Sequence, residues 1–209
     1  MIEKLKELVG GHFPDWTPKV IADIGAHDGE QTLELAKMYP TSTVLALECY
    51  PGIWPKLLDA VAGNTNIIAL PLAACDQDGP ITFFKPLTKN QGYGSIFQPT
   101  GDYPTEPTPS EPIGVNAIRL DTLLRGLHIP AIELFWLDAQ GSELLILQGL
   151  GKFISGTRVV WTEYMLRSIY KNQPLVGDLN AFLVKNGLQC VHNEVVCSDW
   201  WGDACFMRL

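Results

Sequence analysis

The stretch that decides the fold is Val20-Ile21-Ala22-Asp23-Ile24-Gly25-Ala26-His27-Asp28-Gly29, near the start of the chain. Its apolar first part, residues 20–23, predicts a buried strand, and its two glycines predict a tight turn. Residues 30–38 then place Leu33 and Ala36 on one face of a helix. A strand, a glycine-rich turn and a helix form the unit from which helix-covered parallel sheets are built.

The same alternation of apolar strands and helical patterns continues to the end of the chain. We predict further strands at residues 43–48, 67–72, 81–85, 113–119, 133–137, 158–164, 188–196 and 204–209. We predict further helices at residues 53–62, 122–127, 142–153 and 175–186, with Asp121 as the N-cap of the helix over 122–127. The pattern indicates an α/β fold with a parallel sheet and a terminal pair of strands.

The length and the apolar content of the chain favour one compact domain. A chain of 209 residues, 46% of them apolar, can bury a single hydrophobic core. We therefore predict a helical lead-in over residues 1–19 and one domain over residues 20–209. Residues 86–112, rich in Pro, Gly, Thr and Ser, interrupt the pattern between two strand-like runs. We interpret them as the excursion of a β-hairpin that covers a pocket, with a plain insertion as the alternative.

Charge and cysteine content exclude several classes of partner. The formal net charge of -8 would repel nucleic acid and anionic membranes, so we expect neither as a partner. The five cysteines are odd in number and form no C-x-x-C pair, which favours a reducing, cytoplasmic location and no bound metal. The first residues form a charged helical pattern, with no apolar stretch long enough for a signal peptide or a membrane span.

The turn after the first strand is where open α/β sheets bind nucleotides. A dinucleotide site would use G-x-G-x-x-G, but His27 occupies the place of the middle glycine, which leaves D-x-G-x-x-x-G. Asp23 would disfavour a pyrophosphate, whereas a zwitterionic amino-acid tail with a sulfonium tolerates a carboxylate. Glu48 ends the next strand, where it can accept hydrogen bonds from both hydroxyls of a ribose. Either acid alone fits a solvated strand end, but the two together, with Gly25 and Gly29 between them, indicate an adenosine ligand.

These residues resemble the FkbM-type family of class I S-adenosylmethionine-dependent methyltransferases, from about Val20 to the C-terminus. The matching segments are Asp23-Ile-Gly25-Ala26-His27-Asp28-Gly29, Glu48-Cys49-Tyr50-Pro51, Ala73-Ala74-Cys75-Asp76-Gln77-Asp78-Gly79, and Leu137-Asp138-Ala139-Gln140-Gly141-Ser142-Glu143 followed by Leu147-Gln148-Gly149. The resemblance implies S-adenosylmethionine as the cofactor. It implies, with the strand-end positions, the cofactor-binding residues Asp23, Gly25, Ala26, His27, Gly29, Glu48, Cys49, Ala73, Asp76 and Asp138.

The resemblance also implies a Rossmann-like fold with helices on both faces. Its sheet of about seven strands would be mostly parallel with an antiparallel last strand, which the terminal strand pair suggests independently. The chain departs from the family where Gln140 replaces a common Glu and where Trp136 replaces a common Lys. Both departures concern substrate or acid-base positions rather than the binding of the cofactor.

Methyl transfer to a hydroxyl requires a base near the methyl group, and strand-end carboxylates are natural candidates. Asp138 is the first candidate, with a helix cap or cofactor ligand as the alternative, and Glu163 is the second. Tyr93 and Ser95, in the long excursion, are candidates for the wall of the acceptor pocket.

We therefore predict a methyltransferase that acts on a small molecule, most simply by O-methylation. Trp161, Tyr93 and Tyr103 would suit a sugar, a lipid or a polyketide-like acceptor, and the sequence does not indicate an oligomeric state. The alternatives are a nicotinamide-dependent oxidoreductase, which the missing middle glycine disfavours, and a catalytically silent nucleotide-binding domain.

Overall fold

A computed structural model describes residues 1–89, 91–102 and 109–209 of the chain. Within these residues the strands are β1 (Val20–Ile24), β2 (Thr43–Leu47), β3 (Ile67–Leu70), β4 (Ala73–Cys75), β5 (Gly79–Pro86), β6 (Ser110–Arg119), β7 (Leu134–Leu137), β8 (Val159–Met165), β9 (Gln189–Cys197) and β10 (Trp201–Met207). The helices are α1 (Ile2–His12), α2 (Glu30–Met38), α3 (Trp54–Val61), α4 (Leu120–Leu127), α5 (Glu143–Gln148) and α6 (Val176–Lys185), with a 3₁₀ helix at Gly151–Gly156.

The main sheet has seven strands in the order β3-β2-β1-β7-β8-β10-β9. β1 pairs in parallel with both β2 and β7, and every one of its residues is buried. A central parallel strand is covered on both faces, which explains why its sequence is a nearly continuous apolar run. β10 lies antiparallel to both β8 and β9. The predicted mostly parallel sheet with an antiparallel last strand is confirmed.

Helices cover both faces of this sheet, as predicted. On one face the apolar side chains of α4, α5 and α6 pack against β1, β2, β7 and β8 in one large cluster. On the other face α1 and α2 pack against the opposite sides of the same strands, and α3 packs beside them on β2. None of the helices in the described ranges is both long enough and apolar enough to cross a membrane.

Two predicted helices differ from the structure in their details. Asp121 is not an N-cap, because α4 begins at Leu120, two residues before the predicted start. Asp121 instead forms ion pairs with Arg119 and Arg125. The predicted helix over residues 142–153 is divided between α5 and the 3₁₀ helix. Gly149 lies at the break, where an added Cβ atom would be 2.2 Å from the carbonyl oxygen of Cys75. Gly149 therefore allows the backbone between the two helices to pass close to β4.

The predicted hairpin is present, since β5 and β6 pair antiparallel from Gly79 opposite Ala117 to Pro86 opposite Ser110. Together with β4 they form a separate three-stranded sheet. Within the predicted excursion, residue 90 and residues 103–108, Tyr103 among them, lie outside the described residues. The segment 91–97 returns to the hairpin, where Ser95 forms a bridge with Phe84.

Candidate active site at the carboxyl edge of the sheet

The glycine-rich turn passes between the ends of β2 and β7. The amide groups of Gly25 and Ala26 donate to the carbonyl oxygen of Leu47, over 3.0 and 3.1 Å. Gly25 has a φ of +82°, and an added Cβ atom would lie 1.9 Å from the carbonyl oxygen of Asp138. Only glycine combines this backbone conformation with this contact, so the turn brings the ends of β2 and β7 together.

A cavity of about 370 Å³ opens beside this turn. Its walls come from the turn, from the ends of β2 and β7, from β4 and β5, and from residues 91–96 of the excursion. Of the predicted cofactor residues, those that line it are Gly25, His27, Glu48, Cys49, Ala73 and Asp138. The sequence motifs therefore converge on one cavity, although they are far apart along the chain.

The other predicted cofactor residues lie elsewhere. Asp23 is buried behind the turn and accepts a hydrogen bond from the hydroxyl group of Thr32 on α2. Ala26 packs in the apolar cluster beneath α3, and an added Cβ atom on Gly29 would be 3.0 Å from a methyl group of Leu57. Asp76 borders a separate, smaller cavity. In the structure these residues shape or flank the site, and cofactor contact by them stays a prediction.

Burial, with a smaller contribution from the nearby carboxyl groups of Asp138 and Glu48, raises the pKa of Asp23 to about 7, although the Thr32 hydroxyl opposes the shift. A carboxyl group that ionises near neutral pH, bound to the first turn of α2, can hold that helix beside the strand in either protonation state. This contact between β1 and α2 explains an acid in the middle of an apolar strand.

Glu48 is held by backbone amide groups. Its Oε2 atom accepts from the amide of His27 over 3.0 Å, and its Oε1 atom accepts from the amide of Tyr50 over 2.6 Å. Burial raises the pKa of Glu48, and these amide donors oppose the shift. An ionised carboxylate has about four lone-pair positions, so both oxygen atoms keep capacity for further donors. This geometry suits a pair of vicinal hydroxyl groups.

His27 lies on the turn with a φ of +49°. Its Nδ1 atom lies 3.5 Å from a carboxyl oxygen of Asp28, while its Nε2 atom is buried and has no hydrogen-bond partner within the described part of the chain. A buried nitrogen without a partner is costly, so a ligand that supplies the missing partner is favoured. The neighbouring cavity makes His27 a candidate to bind the carboxylate of an amino-acid tail.

Asp138 and Glu163, the two predicted bases, are brought together by Gln140. The amide nitrogen of Gln140 donates to Oδ1 of Asp138 over 2.7 Å and to Oε2 of Glu163 over 3.1 Å. The carboxyl group of Asp138 is exposed to the cavity, yet it lies deep in the fold, where removal of bulk water raises its pKa. Glu163 is half-buried and does not line the cavity.

The candidate acceptor residues lie in the excursion, beside the cavity. Ser95 is buried; its hydroxyl group donates to the carbonyl oxygen of Gln140 over 2.8 Å and accepts from the amide of Phe97 over 3.0 Å. The carbonyl oxygen of Tyr93 lies 3.2 Å from the hydroxyl group of Tyr170. Neither residue lines the cavity, although the neighbouring Gly92, Gly94 and Ile96 do. Ser95 therefore holds residues 91–97, which we call the roof of the cavity, against Gln140. Substrate contact by Ser95 or by Tyr93 stays a prediction.

Several residues that line the cavity were not predicted from the sequence. Tyr50 and Phe83 line the cavity with rings stacked 5.9 Å apart, and Gly94 lies so close to Phe83 that an added Cβ atom would be 2.3 Å from the ring. The position of Tyr50 after Glu48 was a usable signal, whereas nothing local marked Phe83. Trp161 is buried against Trp136, with ring centres 5.4 Å apart, and does not line the cavity.

The charges around the cavity are mostly negative. Asp28, Glu30, Glu48 and Asp138 line it, and no lysine or arginine does so among the residues that the structure describes. The described residues also contain no cluster of side chains arranged to bind a metal. A nucleoside with a positively charged centre fits these walls better than a pyrophosphate does.

A family model described as the methyltransferase FkbM domain matches residues 23–190. The chain is 26% identical over 167 residues to the 2-O-methyltransferase NoeI of Sinorhizobium fredii strain NBRC 101917 / NGR234, a match that covers 74% of this chain and 66% of that protein. The chain thus spans just under two thirds of the length of this curated relative.

The fold is similar to those of solved methyltransferases. Aeropyrum pernix fibrillarin, solved with natively bound S-adenosyl-L-methionine, matches with a TM-score of 0.56 at 13% identity, over 98% of this chain and 74% of the other. Magnesium protoporphyrin IX methyltransferase from Synechocystis PCC 6803, solved with bound S-adenosylmethionine, matches with a TM-score of 0.53 at 9% identity, over 100% and 79%. These likenesses confirm the predicted fold class.

Proposed function

Because this chain belongs to the FkbM methyltransferase family, we propose that it transfers a methyl group from S-adenosylmethionine to a hydroxyl group of a small molecule. The observation that carries the proposal is the convergence of Gly25, His27, Glu48 and Asp138 on one cavity. When bound, S-adenosylmethionine supplies an activated methyl group on a positively charged sulfur. The tasks left to the chain are binding, orientation, exclusion of water and removal of a proton.

The chain offers a suitable partner for each part of such a cofactor. The two oxygen atoms of Glu48 suit the ribose hydroxyl groups, and the buried Nε2 atom of His27 suits the carboxylate of the amino-acid tail. The stacked rings of Tyr50 and Phe83 offer an apolar surface for the adenine ring of the cofactor. The backbone of Gly25 forms part of the cavity wall, and a negative wall suits the positive sulfur.

Asp138 is the group that we propose as the general base. Its carboxyl group is exposed to the cavity, so an acceptor can reach it. Burial raises its pKa, which makes the carboxylate a stronger base than it would be in water. Glu163, the second candidate, contacts Gln140 from behind and does not line the cavity.

A small, uncharged acceptor with a hydroxyl group agrees best with the site. The relative NoeI carries the name of a 2-O-methyltransferase, and among the described residues that line the cavity there is no lysine or arginine to bind a phosphate or carboxylate of an acceptor. The net charge of -8 likewise argues against nucleic acid and anionic membranes. All five cysteines are free thiols, which supports a cytoplasmic location. A single domain over residues 20–209 with a helical lead-in remains our proposal for its organisation.

The binding of S-adenosylhomocysteine tests the cofactor assignment without an acceptor. At about 100 times its dissociation constant it should stabilise the fold by roughly 2.7 kcal/mol and raise the melting temperature by about 5 to 11 °C. NAD at the same concentration should have little effect. A larger rise in melting temperature with NAD than with S-adenosylhomocysteine would favour the oxidoreductase hypothesis and contradict the proposal.

The acceptor can be sought with methyl-labelled S-adenosylmethionine and a metabolite extract, followed by mass identification of the labelled product. A labelled ether on a small molecule is the expected result. Tight binding of the cofactor with no labelled product from any extract would instead indicate a silent binding domain.

A further inference from the structure

Gln140 occupies a position where its amide can serve two carboxyl groups at once. The amide nitrogen carries two hydrogen atoms, and it lies within hydrogen-bond distance of one oxygen atom of Asp138 and one of Glu163. A carboxylate at this position could donate to neither acid. The amide of Gln140 therefore has a chemical consequence for its two partners.

The conformation of Gln140 is fixed from several sides. Its backbone has a φ of +51°, a conformation that residues other than glycine rarely adopt unless their surroundings hold them there. The hydroxyl group of Ser95 donates to its carbonyl oxygen, and the hydroxyl group of Tyr170 donates to its Oε1 atom over 3.0 Å. Because Oε1 is held by Tyr170, the NH₂ group is directed at the two acids.

Glu163 lies in a row of carboxyl groups that crosses the sheet. It stands directly opposite Asp203 on β10, and Asp203 stands opposite Glu194 on β9. On the other side of Glu163 lies Asp138, which follows the end of β7. Glu143 of α5 is another acid whose charge acts on Glu163. Burial raises the pKa of Glu163 well above its ordinary value, and Asp138, Glu143 and Asp203 raise it further. Ionisation of all four neighbouring carboxyl groups at once is unfavourable, and Glu163 is the one with acids on several sides.

We propose that Gln140 is a positioning residue that joins Asp138 and Glu163 into one hydrogen-bonded unit, in which Glu163 keeps its proton and Asp138 carries the charge. Oε2 of Glu163 accepts from Gln140, so the proton resides on Oε1. The opposite assignment would protonate the exposed acid that lines the cavity and ionise the half-buried acid that does not. His27, which lies near Asp138, also favours the charge there. The inference deepens the proposed function, because the charged acid is the one that lines the cavity.

A first experiment needs no ligand. The folded chain holds a proton on Glu163 that the unfolded chain releases above the ordinary Glu pKa of about 4.3, so this group loses its contribution to stability as the pH rises. From about pH 5 to 7 the ratio of the unfolding equilibrium constants, wild type over Glu163→Gln, should therefore rise about tenfold per pH unit. Glu34→Gln, at an exposed position of α2, is the matched control and should give a nearly flat ratio. A flat ratio for Glu163→Gln as well would overturn the assignment, whether or not the chain binds a cofactor.

A second experiment compares the affinities of S-adenosylmethionine, which is positively charged at sulfur, and S-adenosylhomocysteine, which is neutral there. By calorimetry at pH 7, Asp138→Asn should lower the affinity ratio, S-adenosylmethionine over S-adenosylhomocysteine, about tenfold or more. The reason is that the substitution removes the negative charge of Asp138 from the cavity wall. Glu163→Gln should change that ratio at most about threefold, because it replaces a neutral acid with a neutral amide.

Gln140→Met tests the positioning role itself. It preserves the length of the side chain but removes both donors, so Asp138 should take up a proton more readily and the affinity ratio should fall about three- to tenfold at pH 7. The loss should shrink as the pH rises, which mere structural damage would not produce. Gln148→Met, at an exposed position of the same segment, is the control. An unchanged ratio in Gln140→Met, or an equal loss in Glu163→Gln and Asp138→Asn, would refute the proposal, whereas a wild type that binds neither compound would refute the proposed function instead.

Discussion

The two sides of the cavity are built in different ways. The side formed by Gly25, His27 and Glu48 comes from two consecutive strands and the turn between them, within a short length of chain. The side formed by Asp138 and Gln140 depends on Glu163 and Tyr170, which other parts of the chain supply. The first side is shaped by backbone geometry, which a local motif encodes. The second depends on side chains that meet only in the folded protein, so the two sides should respond differently to substitution.

The largest effect is expected on the assembled side, at Asp138. Asp138→Asn preserves the size of the side chain but removes the basic oxygen, so turnover should fall about a hundred- to ten-thousand-fold if the carboxylate takes the proton of the acceptor. The affinity for S-adenosylhomocysteine should change far less, because that ligand is neutral at sulfur. Single-turnover rates of label transfer at saturating cofactor measure the effect.

Asp59→Asn, at an exposed position of α3, provides the control for this substitution. Should the rate of Asp138→Asn stay within about threefold of the wild type, the base role would pass to another group. An acceptor that arrives already ionised would also need no base.

A somewhat smaller effect is expected on the contiguous side, at Glu48. Glu48→Ala removes the charge-assisted hydrogen bonds that we propose for the ribose, worth roughly 2 to 4 kcal/mol in total, or about thirty- to a thousand-fold in affinity. Calorimetry with S-adenosylhomocysteine measures this loss. Glu34→Ala, an exposed carboxylate on α2, should bind as the wild type does.

Folding must be checked in the same variant, because Glu48 also accepts from the amides of His27 and Tyr50. A folded Glu48→Ala protein with unchanged affinity would mean that the ribose is bound elsewhere, and the contiguous side would then not be the cofactor side.

The smallest effect is expected at the roof of the cavity, where Ser95 fastens the excursion to Gln140. Ser95→Ala removes one donated and one accepted hydrogen bond of a buried hydroxyl group, a loss of about 1 to 2 kcal/mol in the local stability. Amide hydrogens of residues 91–97 should then exchange about five- to thirtyfold faster in hydrogen-exchange mass spectrometry.

Ser155→Ala is the matched control for the roof, because its hydroxyl group donates to a carbonyl oxygen at an exposed position. Exchange in residues 91–97 that is the same in Ser95→Ala as in the wild type would show that other contacts hold the roof. In the wild type, the same segment should exchange more slowly when cofactor and acceptor are bound together.

The acidic groups around the site also predict how stability depends on pH. Burial raises the pKa values of Asp23 and Glu143 to about 7 in the folded chain, above the values of about 4 that these groups have when unfolded. The folded state therefore binds more protons, and the free energy of unfolding should fall as the pH rises from about 5 to 7. Urea titrations at several pH values measure this, and stability that rises over that range would contradict it.

The sequence by itself determined the fold class, most of the succession of strands and helices along the chain, and most of the contiguous side of the cavity. Alternating apolar runs and helical patterns depend on local periodicity, and a glycine required by backbone geometry, such as Gly25, is visible wherever it occurs. The acids Glu48 and Asp138 were found because parallel strands bring their carboxyl ends to one edge of the sheet.

Only the tertiary structure decided how these acids are used. Asp23 faces α2 instead of the cavity, because the alternation of a strand buried on both faces directs it there. In the sequence Gln140 is only a departure from a family pattern. In the folded chain its amide nitrogen donates to both Asp138 and Glu163, and Tyr170 holds its amide oxygen. Hydrogen bonds between distant segments leave no periodic trace in a sequence, because they depend on the register and packing of strands that only folding brings together.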